Sequence, residues 1–251
     1  NSDLWYIGVS GDGDSLSIGL GQFCHAIRRN VNMLYIIENN GVYGLTKGQF
    51  SASADLGSTA KKGAANNQPP IDPCQTAISM GAGYVARSFS GDKEQLVPLI
   101  KAGLCHKGFA VIDVVSPCVT FNDHEGSTKS YAYTRAHFHP ALQADYIQPS
   151  EEIRAQYEEG EAMPIELHDG SQIVLRKVSG EYDPTDRGSI YSYLEKHHQA
   201  GEIVTGLLYY NEGLQEMHDL NQIVNEPLSE VGHEKLCPGN AALRDLQKSW
   251  R

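Results

Sequence analysis

The run Leu4-Trp5-Tyr6-Ile7-Gly8-Val9-Ser10-Gly11-Asp12-Gly13-Asp14-Ser15-Leu16 decides how the rest of the chain is read. Leu4 to Val9 has the length and composition of a β-strand. The glycines that follow permit a tight turn and the close backbone approach an anionic ligand needs. From Leu16 the apolar residues recur as Leu16, Leu20, Phe23 and Ile27, which is one face of a helix. The expectation is a strand, a glycine turn and the N-terminus of a helix.

Such a turn suits an anion, because free backbone N–H groups and the positive end of the helix dipole point at it. Two carboxylates there, Asp12 and Asp14, would repel a bare phosphate unless a cation lay between them. Mg²⁺ takes hard oxygen ligands, few of them from protein and the rest from phosphate and water. The residues therefore imply a Mg²⁺-diphosphate site. The rival motifs fail: a dinucleotide fingerprint needs a glycine where Leu16 stands, a Walker loop needs Gly-Lys-Ser/Thr, and an EF-hand needs an oxygen ligand at Leu16.

The second half of the site comes one strand later. Met33 to Glu38 is another apolar strand, followed by Asn39-Asn40-Gly41-Val42-Tyr43-Gly44-Leu45-Thr46-Lys47-Gly48-Gln49. Two parallel strands joined by a helix bring both following loops to the carboxyl edge of the sheet, where open α/β sheets bind ligands. Asp12 and Asn40 can then share one cation.

Gly11-Asp12-Gly13, then 25 residues, then Asn39-Asn40 resembles the motif of thiamine diphosphate (thiamine pyrophosphate, TPP) enzymes. The resemblance implies Mg²⁺ ligation by Asp12, Asn40 and the carbonyl of Val42. It further implies that Gly11, Gly13, Asp14, Gly44, Leu45 and Thr46 lie against the TPP diphosphate. Gly41 to Gln49, Ala26 to Asn32 and Pro117-Cys118-Val119-Thr120-Phe121-Asn122 narrow it further. These stretches are similar to the β subunit of 2-oxoacid:ferredoxin oxidoreductases, nearest to the 2-oxoglutarate enzymes.

That family oxidatively decarboxylates a 2-oxoacid with coenzyme A (CoA), giving acyl-CoA and CO₂, and passes electrons through a [4Fe–4S] cluster to ferredoxin. TPP supplies the carbanion and the electron sink. The resemblance makes Cys118 the fourth cluster ligand, with the other three cysteines in a segment ahead of Leu4 that this chain begins too late to contain. It also implies a partner α subunit, whose second domain carries the glutamate that activates the aminopyrimidine, in an αβ heterodimer or a dimer of heterodimers. Lys47 is the candidate catalytic residue, since a flexible ammonium suits a substrate carboxylate or a CoA anion. Two other readings remain: a cluster-free TPP decarboxylase or carboligase, and a non-catalytic assembly subunit.

At 251 residues with 40% hydrophobic residues the chain can bury a full α/β core. The formal charge of −11 and the lack of a basic stripe argue against nucleic acid. No run approaches the ~20 apolar residues of a membrane span, and no signal peptide is read, so the expected location is cytoplasmic. The five widely spaced cysteines, an odd number, read as thiols rather than disulfides. The ten histidines lack His-Glu-x-x-His or any usable third ligand.

The alternation of strands and helices predicts a doubly wound, mostly parallel sheet of the TPP-binding fold. Its domain is placed at residues 1–122, with an N-terminal part missing. A C-terminal extension over 123–251, assigned to subunit contacts, contributes a hairpin around Asp169-Gly170, a helix from Asp186 to His198 and a strand from Ile203 to Tyr210. Asp72-Pro73 is expected to cap a helix to about Met80. Residues 50–70 read as a long loop over the cofactor or the CoA entrance, and Glu151 to Glu161 as a solvated acidic helix face.

Overall fold

A computed structural model describes residues 4–44, 48–58, 65–117, 128–129, 131–143, 162–166, 172–177, 182–224, 226–237 and 239–250. Leu45, Thr46, Lys47, Cys118 and the acidic stretch 151–161 lie outside the described residues.

The first half builds the sheet in βα units. Strand β1 (Ile7–Gly11) runs into a π-helical segment (Gly13–Ile18) and helix α1 (Leu20–Arg28). Strand β2 (Met33–Asn39) follows, then the two-residue strands β3 (Val42–Tyr43) and β4 (Gln49–Phe50), which pair with each other. Helix α2 (Pro73–Met80), strand β5 (Tyr84–Phe89), helix α3 (Lys93–Cys105) and strand β6 (Phe109–Val115) complete it. The cap expected at Asp72-Pro73 is present. The Asp72 carboxylate accepts from the N–H groups of Cys74 and Gln75 at 2.7 and 3.0 Å, with Pro73 in the first turn. Asp92 accepts from Gln95 N at 3.1 Å at the start of α3.

Beyond these come helix α4 (Tyr131–Ala136), strands β7 (Phe138–Gln143), β8 (Ala162–Glu166) and β9 (Gln172–Lys177), helix α5 (Arg187–Gln199) and strand β10 (Ile203–Tyr210). The eight-stranded sheet has the order β1-β2-β6-β5-β10-β7-β9-β8. Strands β1, β2, β6 and β5 are mutually parallel, β10 enters antiparallel beside β5, and β7 is parallel to β10. β8 and β9 form an antiparallel pair. Strands from both sides of residue 122 thus share one sheet.

Helices cover both faces, which is why β6 is buried throughout. On one face Phe109 and Val111 pack with Phe23, Ile27, Ala77, Ile78, Ile190 and Leu208. On the other, Ala110, Ile112 and Val114 pack with Leu34, Tyr84 and Leu99. Each fully buried Leu, Ile or Phe here contributes about 1.5–3 kcal/mol by leaving water. β1 is one edge of the described sheet, with Ile7 and Val9 exposed along it and Trp5 exposed just ahead of it.

Two compact units separate, Trp5–Met217 and a smaller one of the first four residues with His218–Arg251. Helices α6 (Met217–Leu220), α7 (His233–Leu236) and α8 (Gly239–Ser249) occupy the end of the chain, where the sequence alone is uninformative. None of their residues is buried. Among the described residues no helix is long and apolar enough to cross a membrane.

Candidate functional site

The stretch after β1 differs from the expected glycine turn. Asp12 already has helical dihedrals, and Gly19 N donates to the Asp14 carbonyl five residues back at 2.7 Å, so a wider π turn holds one extra residue before α1. Neither Gly11 nor Gly13 has a positive φ. Gly13 is needed for space instead: a Cβ there would lie 2.7 Å from the Tyr43 ring, whose hydroxyl donates to the Gly13 carbonyl at 2.8 Å. The helical stripe survives the insertion, with Leu16, Phe23 and Ile27 buried.

Asp12 and Asn40 meet at the carboxyl ends of β1 and β2. Asp12, 1% exposed, accepts on Oδ1 from Asn40 N at 3.3 Å and on Oδ2 from Gly41 N at 3.0 Å. Gly41 has φ of 76°, which a β-carbon would oppose, so this sharp approach of the second loop depends on glycine. Asn40 Oδ1 accepts from Val42 N at 3.1 Å, turning the loop so that its side-chain oxygen sits on the same short segment as the Val42 carbonyl. Asp14 and Gly44 are exposed beside this pair, while Gly13 and Val42 are buried.

The donor chemistry fits Mg²⁺. A carboxylate, an amide oxygen and a main-chain carbonyl are hard oxygens from three positions, too few to complete an octahedron without diphosphate and water. No group of three or more His, Cys, Asp or Glu side chains able to hold a metal occurs among the described residues. A site built from Asp12, Asn40 and a carbonyl needs only one such carboxylate.

Sequence reading missed two groups that hold Asp12. Ser51 and Ser53, in the loop after β4, both place hydroxyls on Asp12 Oδ2, and both are buried. Ser53 also reaches Asn39 Oδ1 at 2.9 Å, and Asn39 Nδ2 donates to Asp113 Oδ1 at 3.0 Å. Asp113 Oδ2 accepts from Arg87 Nε at 2.7 Å, and the same guanidinium donates to Asp72 at 2.7 Å. A continuous polar chain therefore links Asp12 to the N-terminus of α2. Sequence carried one weak signal of it, a charged Asp113 within the apolar run Phe109 to Val115.

Burial raises the Asp113 carboxyl above the usual carboxylate range, with Arg87 opposing. Asp72, although partly desolvated, is held below that range by Arg87 and the two capping N–H groups. A cavity of about 410 Å³ opens on the far side of this chain, lined by Asn39, Ser53, Arg87, Asp113, Lys129 and His198. On its wall Lys129 pairs with Asp55 at 2.8 Å. Burial raises the Asp55 pKa, but Lys129 and Thr128 more than reverse this.

The cysteines divide as thiols. Cys74 is buried and its thiol is pushed up by burial, Cys24 is half-buried, and Cys105 and Cys237 are exposed. Cys105 ends α3.

Residues 3–114 match the family model of the thiamine pyrophosphate enzyme C-terminal TPP binding domain. The chain is also similar to the β subunits of 2-oxoacid:ferredoxin oxidoreductases. It is 47% identical over 132 residues to such a subunit from Saccharolobus solfataricus, covering 52% of this chain and 43% of that protein. Against the 2-oxoglutarate synthase subunit KorB of Methanocaldococcus jannaschii it is 44% identical over 122 residues, 47% of this chain and 44% of that one. The matched part therefore spans less than half the length of these relatives. A solved 2-oxoglutarate:ferredoxin oxidoreductase from Magnetococcus marinus, with 2-oxoglutarate, coenzyme A and succinyl-CoA bound, superposes with a TM-score of 0.62 at 28% identity. That match covers 89% of this chain and 62% of that one.

Proposed function

We propose that this chain is the TPP- and Mg²⁺-binding β subunit of a 2-oxoacid:ferredoxin oxidoreductase, with 2-oxoglutarate as substrate and succinyl-CoA and CO₂ as products. The observation that carries the reading is the meeting of Asp12 with the Asn40-Gly41 backbone across two neighbouring strand ends, at 3.3 and 3.0 Å. When bound, TPP supplies the nucleophilic carbon and the electron sink for decarboxylation.

The chain's own residues bind and orient. Asp12, Asn40 and the Val42 carbonyl hold the cation. Gly11, Gly13, Asp14, Gly44, Leu45 and Thr46 accommodate the diphosphate. Tyr43 packs over Gly13 and fixes the loop against the π segment. Lys47 reads the distal carboxylate of the substrate or an anion of CoA. Cys118, which follows Ser116 and Pro117 in the sequence, serves as one thiolate of a [4Fe–4S] cluster, which is commonly held by four.

The reading includes a partner α subunit, ferredoxin as acceptor, a cytoplasmic location and an αβ heterodimer or dimer of these. Co-purification with the α subunit should give an enzyme that reduces ferredoxin only when 2-oxoglutarate and CoA are both present. Iron and sulfide should accompany it. Activity without CoA, or without iron, would favour a TPP decarboxylase or carboligase and defeat the proposal.

A further inference from the structure

We infer that Ser51 and Ser53 are positioning residues that leave Asp12 a single oxygen for ligation, and so make the site prefer a small octahedral cation over a larger one; this rests on the cation-diphosphate reading above. The argument begins with the two carboxylate oxygens, which the fold treats unequally. Oδ2 is contacted by Gly41 N at 3.0 Å and by both serine hydroxyls. A carboxylate has about four lone-pair sites over its two oxygens, so three donors crowd one of them fully. Among the described residues Oδ1 receives the Asn40 N–H alone, at the long distance of 3.3 Å.

Ser53 has one proton and three acceptors within reach, Asp12 Oδ2, Asn39 Oδ1 and, at 3.0 Å, Ser51 Oγ. The carboxylate is the stronger acceptor while it is charged. A cation on Oδ1 weakens that pull, and the proton can then turn to Asn39. In either orientation the Ser53 oxygen fills the space beside Oδ2.

Neither hydroxyl can swing aside into water. Ser51 and Ser53 are 6% and 2% exposed. Ser51 N donates to the Gly41 carbonyl at 3.2 Å, Ala54 N to the Ser51 carbonyl at 3.1 Å and Ala52 N to Ser17 Oγ at 3.0 Å, so the loop is pinned to both halves of the site. Asp12 is thereby confined to one-oxygen ligation. Mg²⁺ requires a compact octahedron and keeps its waters, whereas Ca²⁺ takes more ligands and often both oxygens of a carboxylate.

The test is cation-dependent TPP binding, followed by titration calorimetry on the enzyme assembled with its partner subunit and freed of metal and TPP. Wild type, S53A and the double variant S51A/S53A are each titrated with Mg²⁺ and with Ca²⁺. Loss of groups that orient a ligand weakens metal affinity by roughly 10–100-fold. The double variant should need roughly tenfold more Mg²⁺ for half-saturation, with a smaller change for Ca²⁺, so that the preference narrows. S53A should narrow it less, and decides the matter if the double variant fails to fold. An unchanged Mg²⁺/Ca²⁺ ratio, including equal weakening of both ions, overturns the inference while leaving the site intact. TPP binding in wild type that needs neither ion overturns the underlying reading and this one together.

Discussion

Replacing Arg87 with Leu tests whether the polar chain behind the site is a structural necessity. Arg87 is 9% exposed and bridges Asp113, 1% exposed, and Asp72, whose side chain is 31% exposed. Removing one partner of a buried pair costs about 3–5 kcal/mol, mainly because a charge is left behind. Most of that cost falls on Asp113, which would keep only Asn39 and the weak Cys74 thiol. Little falls on Asp72, which keeps two capping N–H donors and some water. The expected loss for R87L is about 3–4 kcal/mol at neutral pH, or a Tm lower by about 6–16 °C for a chain of this size.

The pH dependence gives the sharper check. Burial already raises the Asp113 carboxyl above its unfolded value, and removing Arg87 raises it further. The native state then holds a proton that the unfolded state has released, so stability grows as pH falls towards the carboxylate range. The R87L deficit should shrink as pH falls from neutral towards the carboxylate range in melting or urea titrations. Adding D113N should recover part of it at neutral pH. A neutral-pH deficit below about 1 kcal/mol, or one that does not change on acidification, would refute the reasoning.

Four further outcomes are expected. D12N should abolish Mg²⁺-dependent TPP binding, measured calorimetrically on the assembled enzyme, while leaving its melting curve cooperative. G13A forces a Cβ to 2.7 Å from the Tyr43 ring and should cost about 1–3 kcal/mol; the pair G13A/Y43A should melt closer to wild type than G13A does. K47A should raise the KM for 2-oxoglutarate or for CoA in steady-state assays, and unchanged values for both would remove Lys47 from the site. Burial pushes the His106 pKa down to about 4, with Nε2 buried and without a hydrogen-bond partner among the described residues. The unfolded state thus binds a proton that the native state refuses between about pH 6.5 and 4, and stability falls as pH drops through that window. H106F should flatten this acid limb in pH-dependent melts; an identical limb would exclude His106 as its source.

What could be read from the residues alone depended on how local the cause was. Asp72-Pro73, Asp92 and Asp186 mark helix starts because a cap is satisfied within three residues of itself. The strand Phe109 to Val115 was legible because burial on both faces leaves an uninterrupted apolar run. Asp12 and Asn40 were legible because two βα loops of a parallel sheet must end at one edge, so a spacing in sequence becomes a distance in space. The π turn was not, since the stripe Leu16, Leu20, Phe23, Ile27 reads as helical whether or not one residue bulges. The entry of β10 beside β5 was hidden for a related reason: an apolar strand does not say which neighbour it will pair with.

Ser51, Ser53 and Arg87 were hidden more deeply. Their partners lie 39, 41 and 26 residues away, and a serine bound for a buried carboxylate has the same letter as one bound for water. The Asp12-Asn40 pair could be recognised because its ligand chemistry fixes the residue types. The groups that aim Asp12 need only be small donors that fit, which many sequences can supply. On the proposed reading, the affinity of the site for its cation depends partly on residues that the motif does not contain.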